Sequence, residues 1–121
     1  MSKTKFDRGE VVSLADPYGN NKPRSAVIVS DGRRPLHNDG EMRYNVVMLS
    51  SKVGEFGGHD WAQTLDAQSD TENNQELLSD SVVEPWGTFV VNERTLNGPH
   101  AKLNSSGMKK VARALANMVL R

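Results

Sequence analysis

The stretch Ser25-Ala26-Val27-Ile28-Val29-Ser30 decides most of the fold, because four apolar residues, three of them β-branched, stand together inside it. The stretch Tyr44-Asn45-Val46-Val47-Met48-Leu49-Ser50 has the same character. Short continuous apolar runs of this kind predict strands that are buried on both faces. Residues 31–43 contain Gly, Pro, Asn and Asp, which predict a long exposed connection between the two strands.

Shorter strands are predicted on either side of this pair. Four more stretches have the β-branched or alternating composition of strands: residues 10–15, 60–65, 81–84 and 88–91. The sequence DPYGNN at 16–21 predicts a turn before the first buried strand, since Pro fixes φ and Gly and Asn tolerate positive φ. Pro85 and Gly87 predict a bend or a sheet edge between the last two stretches.

The end of the chain carries a helical pattern. Asn104 or Ser105 can cap a helix, and apolar residues then recur at helical spacing. They are Met108, Val111, Ala112, Leu115, Met118 and Val119, with Lys109, Lys110 and Arg113 on the other face. Residues 66–76 are polar and acidic and predict a mobile loop. The fold class is therefore mainly β, a small and strongly bent sheet or barrel, with a C-terminal amphipathic helix packed on it.

Length and composition limit the function classes. The 121 residues fit one domain spanning 1–121, and the absence of cysteine excludes disulfides, thiolate zinc sites and cysteine nucleophiles. The longest apolar runs have four residues, whereas a membrane-spanning helix needs about twenty. The N-terminus has no apolar stretch typical of a secretory signal. We therefore expect a soluble, cytoplasmic protein with no membrane partner.

Charge is segregated along the chain although the formal net charge is zero. Residues 1–34 carry seven basic and four acidic side chains, and residues 85–121 carry six basic and one acidic. Residues 55–84 carry eight acidic side chains and no Lys or Arg. If the two ends of the chain meet, they form a positive face that attracts phosphates. The alternative is an ordinary solvated surface on which charges cluster.

Common catalytic and metal motifs are missing. His37, His59 and His100 are far apart without ligand spacing, so no metal site is predicted. The hydrolase elbow, the phosphate-binding Gly-rich loop with Lys and the dinucleotide fingerprint are absent. Trp61 and Trp86 pack in the core or, if they lie at a groove, stack on a base.

One arginine stands at a chemically useful place. Arg24 follows the predicted turn and opens the first buried strand, and Ser50 closes the next buried strand. If these strand ends meet, they offer a planar guanidinium and a hydroxyl to one phosphate. The alternative is that Arg24 is a solvated gatekeeper against aggregation at a strand end.

The ordered set of these stretches resembles a known family. Arg8-Gly9-Glu10-Val11, Asp16-Pro17-Tyr18-Gly19 and Arg24 with Ala26-Val27-Ile28-Val29 are similar to the N-terminal part of the MazF/PemK toxins of type II toxin–antitoxin systems. Val46-Val47-Met48-Leu49-Ser50-Ser51 is similar to a further family strand, and the pattern around residues 80–83, 94–96 and 101–115 is similar to the family's tail.

This resemblance implies a fold, a reaction and partners. The fold would be an SH3-like β-barrel of five to seven strands with a C-terminal helix, usually as a homodimer. The activity would be that of an endoribonuclease, which cleaves single-stranded RNA sequence-selectively without metal or other cofactor. The products would be 2′,3′-cyclic phosphate and 5′-hydroxyl ends. The partner would be a cognate antitoxin whose acidic, disordered tail lies along the toxin's groove.

The resemblance also implies roles for individual residues. The catalytic arginine of the family falls on Arg24, and its catalytic threonine falls on Ser50. The implied RNA-binding residues are Asp16, Tyr18, Asn20, Lys22 and Ser51. Because arginine is a poor proton shuttle, the general base is open, with Glu10 and Asp16 as candidates. Ser25 replaces the family's proline after the arginine, with Pro23 before it instead, so the approach of Arg24 to RNA can differ.

Two other functions remain open at the level of sequence. One is a non-catalytic SH3-like module that binds RNA or a protein and keeps Arg24 for binding only. The other is a toxin that acts by binding a protein target such as a topoisomerase, as the same barrel does in a related family. Cleavage of purified RNA distinguishes both from the nuclease.

Overall fold

Six strands form one antiparallel sheet in the computed structural model, which describes residues 5–19, 22–30, 42–72 and 79–120. The elements are β1 (Glu10–Leu14), β2 (Arg24–Ile28), β3 (Arg43–Ser50), α1 (Val53–Phe56), β4 (Thr64–Leu65), β5 (Ser81–Asn92), a 3-10 turn (Glu93–Thr95), β6 (Asn97–Lys102) and α2 (Ser105–Leu120). The strand order is β4-β5-β3-β2-β1-β6. The sheet curls into a half-barrel with a C-terminal helix, which confirms the predicted fold class.

Both faces of the central strands are buried, as their continuous apolar composition predicts. Val11, Val27 and Val47 lie opposite one another across β1, β2 and β3, and they pack in the same core as Val111 and Ala114 of α2. The alternate residues of these strands form a second core that includes Phe6 and Tyr44. Burial of consecutive side chains at residues 26–28 of β2 and 46–50 of β3 favours one register, because a shift by one residue would exchange the two cores.

Tyr44 ties the start of the described chain to the sheet. Its hydroxyl donates to Glu93 Oε2 at 2.5 Å and accepts from the backbone N–H groups of Lys5, at 3.0 Å, and Phe6, at 3.2 Å. The Phe6 ring packs edge-on against the Tyr44 ring, with centroids 5.6 Å apart. Burial, together with the hydrogen bond to Glu93, raises the pKa of Tyr44 to about 12.

Tyr44→Phe is expected to lower the free energy of unfolding by about 1–2 kcal/mol, because one hydroxyl satisfies three polar groups near the core. Urea denaturation measures this loss. Tyr18→Phe is the matched control, since the Tyr18 ring is half-exposed and its hydroxyl has no hydrogen-bond partner among the described residues. A change below about 0.5 kcal/mol is expected there, and equal losses in the two variants would contradict the role assigned to Tyr44.

Several predicted element bounds are wrong. The predicted strand at 60–65 is reduced to Thr64–Leu65, and residues 81–84 and 88–91 belong to one strand, β5, rather than two. Leu49 pairs with Val83 and Val47 with Thr88, so β5 carries extra residues, including Pro85, at a bulge opposite β3. A bulge accepts proline because the ladder needs no N–H there. The edge strand β6 and the short α1 were not predicted, since the NGPHAK sequence of β6 lacks an alternating apolar pattern.

Residues 66–72 are ordered by hydrogen bonds, so the predicted mobile loop is wrong over this part. Asp66 Oδ1 accepts from the backbone N–H groups of Gln68, at 2.9 Å, and Ser69, at 2.8 Å. The side chain of Asp70 is buried against α2. Acidic side chains that accept local backbone hydrogen bonds favour a turn, which a count of polar residues does not reveal. Residues 73–76 of the predicted loop lie outside the described residues.

The C-terminal helix begins where the sequence predicts. Asn104 Oδ1 accepts from Gly107 N at 2.9 Å, which caps the first turn. The predicted apolar face is partly wrong: Val111 and Ala114 are buried, but Ala112, Met118 and Val119 are exposed. Lys110, predicted for the solvated face, reaches inward to Asp70 at 2.7 Å.

Candidate functional site

A groove of about 1220 Å³ lies where β2 begins and β3 ends. It is lined by side chains from the β1–β2 connection, from the strand ends and from β6. Those of chemical interest are Asp16, Lys22, Arg24, Ser50, Ser51, Lys52, Glu84 and His100. Three of these are basic and two are acidic. In the described part of the chain no Lys or Arg after residue 85 lines the groove, so its basic side chains come from the N-terminal half.

Arg24 and Ser50 meet at this groove because the two buried strands pair. Ala26 lies opposite Met48, so Arg24 at the start of β2 and Ser50 at the end of β3 come to the same end of the strand pair, where both line the groove. Arg24 Nη2 donates to the carbonyl oxygen of Leu49 at 2.8 Å. The guanidinium carbon lies 5.7 Å from the centre of the Tyr18 ring, within the range of a cation–π contact.

Glu84 is a site residue that the sequence analysis missed. Its Oε1 accepts from Arg24 Nη2 at 2.6 Å, and the two side chains are 7% and 20% exposed, so the ion pair is largely buried. A carboxylate directly after Val82 and Val83 in an apolar strand is the signal that could have revealed it. Glu84 fixes one edge of the guanidinium, and among the described residues Nη1 and Nε make no hydrogen bond.

Ser50 presents a hydroxyl group with unused donor capacity. Its Oγ accepts from the backbone N–H of Lys52 at 3.1 Å, and the residue is buried at the end of β3. The hydroxyl hydrogen has no acceptor among the residues that the structure describes. A hydroxyl held through its oxygen can still donate to an anion, which is the role predicted for it. Ser51, beside it, also lines the groove and is exposed.

The connection between β1 and β2 brings the predicted RNA-binding residues to the same place. Asp16 Oδ1 accepts from Tyr18 N at 2.8 Å, and Gly19 closes the turn at a φ of 89°, where a side chain would be strained. Asp16 and Lys22 line the groove. Burial raises the pKa of the Tyr18 phenol, and the nearby Glu84 raises it further. Asn20 lies outside the described residues.

Glu10, the other candidate base, lies away from these groups. It begins β1 opposite Lys102 and is not part of the groove lining. Its Oε1 accepts from the backbone N–H of Asp7 at 2.5 Å. The structure therefore places Asp16 in the same groove lining as Arg24 and Ser50, and it does not place Glu10 there.

His100 is a second groove residue that sequence reasoning did not assign to the site. Its Nε2 lies 3.0 Å from Ser13 Oγ. The ring packs against Gly98, where an added Cβ would lie 3.3 Å from Cδ2 and only 3.0 Å from the backbone nitrogen of His100. Gly98 also has a φ of 124°, so this approach of the ring depends on glycine at that position.

Two further structural observations concern other classes of site. Within residues 5–19, 22–30, 42–72 and 79–120, no three His, Cys, Asp or Glu side chains are grouped so that they could hold a metal ion. In the same residues, no helix has the length and apolar composition needed to cross a membrane.

Comparison with known proteins identifies the family. The family model described as "PemK-like, MazF-like toxin of type II toxin-antitoxin system" matches residues 7–119, which is nearly the whole chain. The chain belongs to this toxin family. No sequence among the curated proteins matches that of the toxin.

Solved structures confirm the fold of the toxin. An endoribonuclease in complex with its cognate antitoxin, from a mycobacterial species, is similar with a TM-score of 0.64 and 19% identity, covering 98% of this chain and 95% of that one. The Mycobacterium tuberculosis toxin MazF-mt6 is similar with a TM-score of 0.59 and 19% identity, covering 89% and 94%. At this level of identity, the likeness establishes a shared architecture.

Proposed function

We propose that this toxin is a sequence-selective endoribonuclease that cleaves single-stranded RNA without a metal ion and leaves 2′,3′-cyclic phosphate and 5′-hydroxyl ends. The observation that carries the proposal is the meeting of Arg24 and Ser50 at one groove, fixed by the register of two buried strands. Membership of the toxin family supports it. So does the likeness to a protein described as an endoribonuclease in complex with its antitoxin.

Arg24 binds and polarises the phosphate in this proposal. As the ribose 2′-oxygen attacks, negative charge accumulates on the phosphorane, and a guanidinium already in place stabilises it without reorganisation. Glu84 and the Leu49 carbonyl oxygen hold Nη2, so Nη1 and Nε are the groups that reach the phosphate oxygens. Arg24 does not transfer the proton, because a guanidinium is a poor proton shuttle.

Ser50 donates a second hydrogen bond to the same phosphate. Its oxygen is held by Lys52 N, which orients the hydroxyl hydrogen toward a non-bridging oxygen in the groove. Because Ser lacks the methyl group that restricts the rotamer of Thr, this backbone contact takes over part of the orienting role.

Asp16 is the general base that fits the groove best. It lines the same groove as Arg24, whereas the Glu10 carboxylate is away from the groove and accepts a backbone N–H. The 5′-oxygen leaves with a proton, and His100 is the groove side chain suited to supply it, since histidine is the side chain most often used for proton transfer in enzymes.

The partner assignments follow from the same groove. A cognate antitoxin with an acidic, disordered tail would lie along the groove. Its carboxylates would pair with Lys22, Arg24 and Lys52 in place of the RNA phosphates. The toxin would act as a homodimer in the cytoplasm.

Incubation of the purified toxin with a long single-stranded RNA in EDTA tests the proposed reaction. Discrete cuts are expected, with 5′-hydroxyl ends and cyclic phosphates at the facing ends. Cuts with 5′-phosphates, or cleavage abolished by EDTA, would overturn the chemistry. Intact RNA in the presence of folded, antitoxin-free toxin would instead favour the binding-module or protein-target functions.

Ser50→Ala is expected to lower kcat/KM for RNA cleavage by roughly 10- to 100-fold, the cost of one hydrogen bond to a charged group. Ser105→Ala is the matched control, because Ser105 is exposed at the first turn of α2. Initial rates on a short fluorogenic RNA measure both variants. Equal rates for Ser50→Ala and the control would remove Ser50 from the mechanism.

A further inference from the structure

Four aromatic rings cluster next to the groove. Trp61 and Trp86 meet edge to face with centroids 4.8 Å apart, and Phe56 lies 6.0 Å from Trp61 and 6.1 Å from Trp86. His59 stacks on Trp61 at 5.4 Å with an angle of only 12° between the planes. The Trp86 side is open: this residue is 48% exposed, which is unusual for so large an apolar side chain. We call these four residues the aromatic platform.

The aromatic platform is continuous with the phosphate-binding part of the groove. Phe56 belongs to both, since its ring contacts Trp86 and its side chain lines the groove. Trp86 follows Glu84 by two residues in β5, a separation of at most about 7 Å along a strand. Because Glu84 holds the Arg24 guanidinium at 2.6 Å, a phosphate bound there lies close to the exposed indole.

We propose that the aromatic platform binds an unpaired nucleobase of the RNA substrate by stacking on Trp86, next to the phosphate held by Arg24. This inference rests on the proposed function, because it adds a base-binding site to the same groove. A nucleotide joins a flat ring to a phosphate, and the toxin offers an exposed indole two residues along β5 from the carboxylate that holds the Arg24 guanidinium. Each base has a π-face, so stacking anchors the strand whichever base is present.

The small size of the open surface favours a base over a protein partner. Trp86 is the exposed indole of the platform, His59 is also exposed, and Trp61 and Phe56 are half-buried neighbours. Stable protein interfaces bury roughly 1,200–2,000 Å², far more than one indole presents. A single ring supported edge-on by a second ring is sufficient for one base, because stacking needs only a rigid face of similar area.

Because the stacked base lies away from the reacting atoms, loss of stacking is expected to change KM rather than kcat. The platform holds the substrate before and during the reaction to a similar extent, so its loss raises KM and leaves kcat nearly unchanged. Trp86→Ala is expected to raise KM for RNA by roughly 5- to 100-fold. Trp86→Phe keeps a π-face and is expected to lose less. Val90→Ala is the matched control, since Val90 is 52% exposed on the same strand.

Fluorescence tests binding apart from cleavage. A 2′-O-methyl RNA oligonucleotide lacks the free 2′-hydroxyl and cannot be cut, so it is titrated into the toxin while tryptophan emission is followed. Quenching is expected in the wild type and is expected to be largely lost in Trp86→Phe, which keeps only Trp61. Circular dichroism and the unfolding midpoint show that each variant is folded.

The outcomes separate this inference from the proposed nuclease. Cleavage by Trp86→Ala with wild-type KM and no quenching by the oligonucleotide would overturn the platform and leave the nuclease standing. Quenching by the oligonucleotide without any RNA cleavage would support the platform and overturn the nuclease. Quenching only by an acidic peptide, or a dimer lost in Trp86→Ala by sedimentation, would assign the platform to a protein contact and overturn the inference.

Discussion

Arg24→Ala is expected to lower kcat for RNA cleavage by roughly 100- to 1000-fold, the loss found when one preorganised donor to a developing oxyanion is removed. The guanidinium stands at the mouth of a rigid strand pair and is aligned by Glu84 and by the Leu49 carbonyl oxygen. In the proposed mechanism it would therefore stabilise the phosphorane without rearrangement. Single-turnover cleavage of a short RNA measures the chemical step directly.

The same substitution is expected to destabilise the fold, which would obscure its effect on catalysis. Glu84 is 5% exposed, and without Arg24 its carboxylate stays buried next to apolar strand residues with no cation beside it. Removing one partner of a buried ion pair costs about 3 kcal/mol or more. An inactive Arg24→Ala preparation would then be explained equally well by partial unfolding.

The double variant Arg24→Ala/Glu84→Gln resolves this ambiguity. It removes both charges, so stability in urea is expected to recover most of the loss while cleavage stays at the level of Arg24→Ala. Glu84→Gln alone keeps the guanidinium and loses only the carboxylate charge that aligns it. This variant is therefore expected to retain more activity than either Arg24 variant. If the double variant recovers cleavage together with stability, Arg24 is structural and the proposed mechanism is wrong.

The central strands could be predicted because each contains a continuous run of apolar residues. Residues 25–30 and 44–50 each contain a run of four consecutive apolar residues, which predicts two strands buried on both faces. In the antiparallel pair that they form, the start of one strand lies beside the end of the other, and both Arg24 and Ser50 line the groove there. Spacing and composition therefore raised the meeting of Arg24 and Ser50 as one of two alternatives, and the resemblance to the toxin family supplied their predicted roles.

The remaining contacts of the site join residues that are far apart in the sequence, so a local sequence pattern does not reveal them. Glu84 contacts Arg24 across 60 residues of sequence, and Ser13 contacts His100 across 87. Trp61 and Trp86 are brought together by the bulged path of β5 and by the short α1, neither of which was predicted. From the sequence, both tryptophans could pack in the core or lie at a groove, and the structure places them beside the groove.

The acidic segment around Asp70 was interpreted wrongly for a related reason. Its residues have low strand and helix propensity, which is typical of a loop. Their acidic side chains, however, accept hydrogen bonds from backbone N–H groups of the same segment and from side chains of α2. Asp70 Oδ2 accepts from Lys110 Nζ at 2.7 Å and from Asp66 N at 2.8 Å, and its Oδ1 accepts from Ser106 Oγ at 2.7 Å. The Asp70 carbonyl oxygen approaches Gly107 so closely that an added Cβ would lie 2.6 Å from it. The segment is therefore fastened to α2.

Asp70→Asn is expected to lower the free energy of unfolding by about 2 kcal/mol at neutral pH. The asparagine fills the same space but loses the charge that balances Lys110 and one of the acceptor oxygens. A fully buried pair would lose about 3–5 kcal/mol, but the Lys110 side chain is 33% exposed and can turn partly to water. Glu72→Gln is the matched control, because Glu72 pairs with Lys102 at 3.9 Å with both side chains well exposed, and a change below about 0.5 kcal/mol is expected.

The pH dependence of this loss provides a second, independent measurement. Burial acts to raise the pKa of Asp70, but the hydrogen bonds from Lys110, Asp66 and Ser106 outweigh it and hold the pKa below the usual value of 3.8. A carboxyl group with a lowered pKa stabilises the fold fully above its unfolded-state pKa, and the contribution is lost as pH falls through the folded-state value. The difference in stability between wild type and Asp70→Asn should therefore be constant from pH 7 to about pH 5 and narrow below about pH 4. A difference that widens on acidification would mean that Asp70 is held in its neutral form, and the ion pair with Lys110 would not be what fastens the segment to α2.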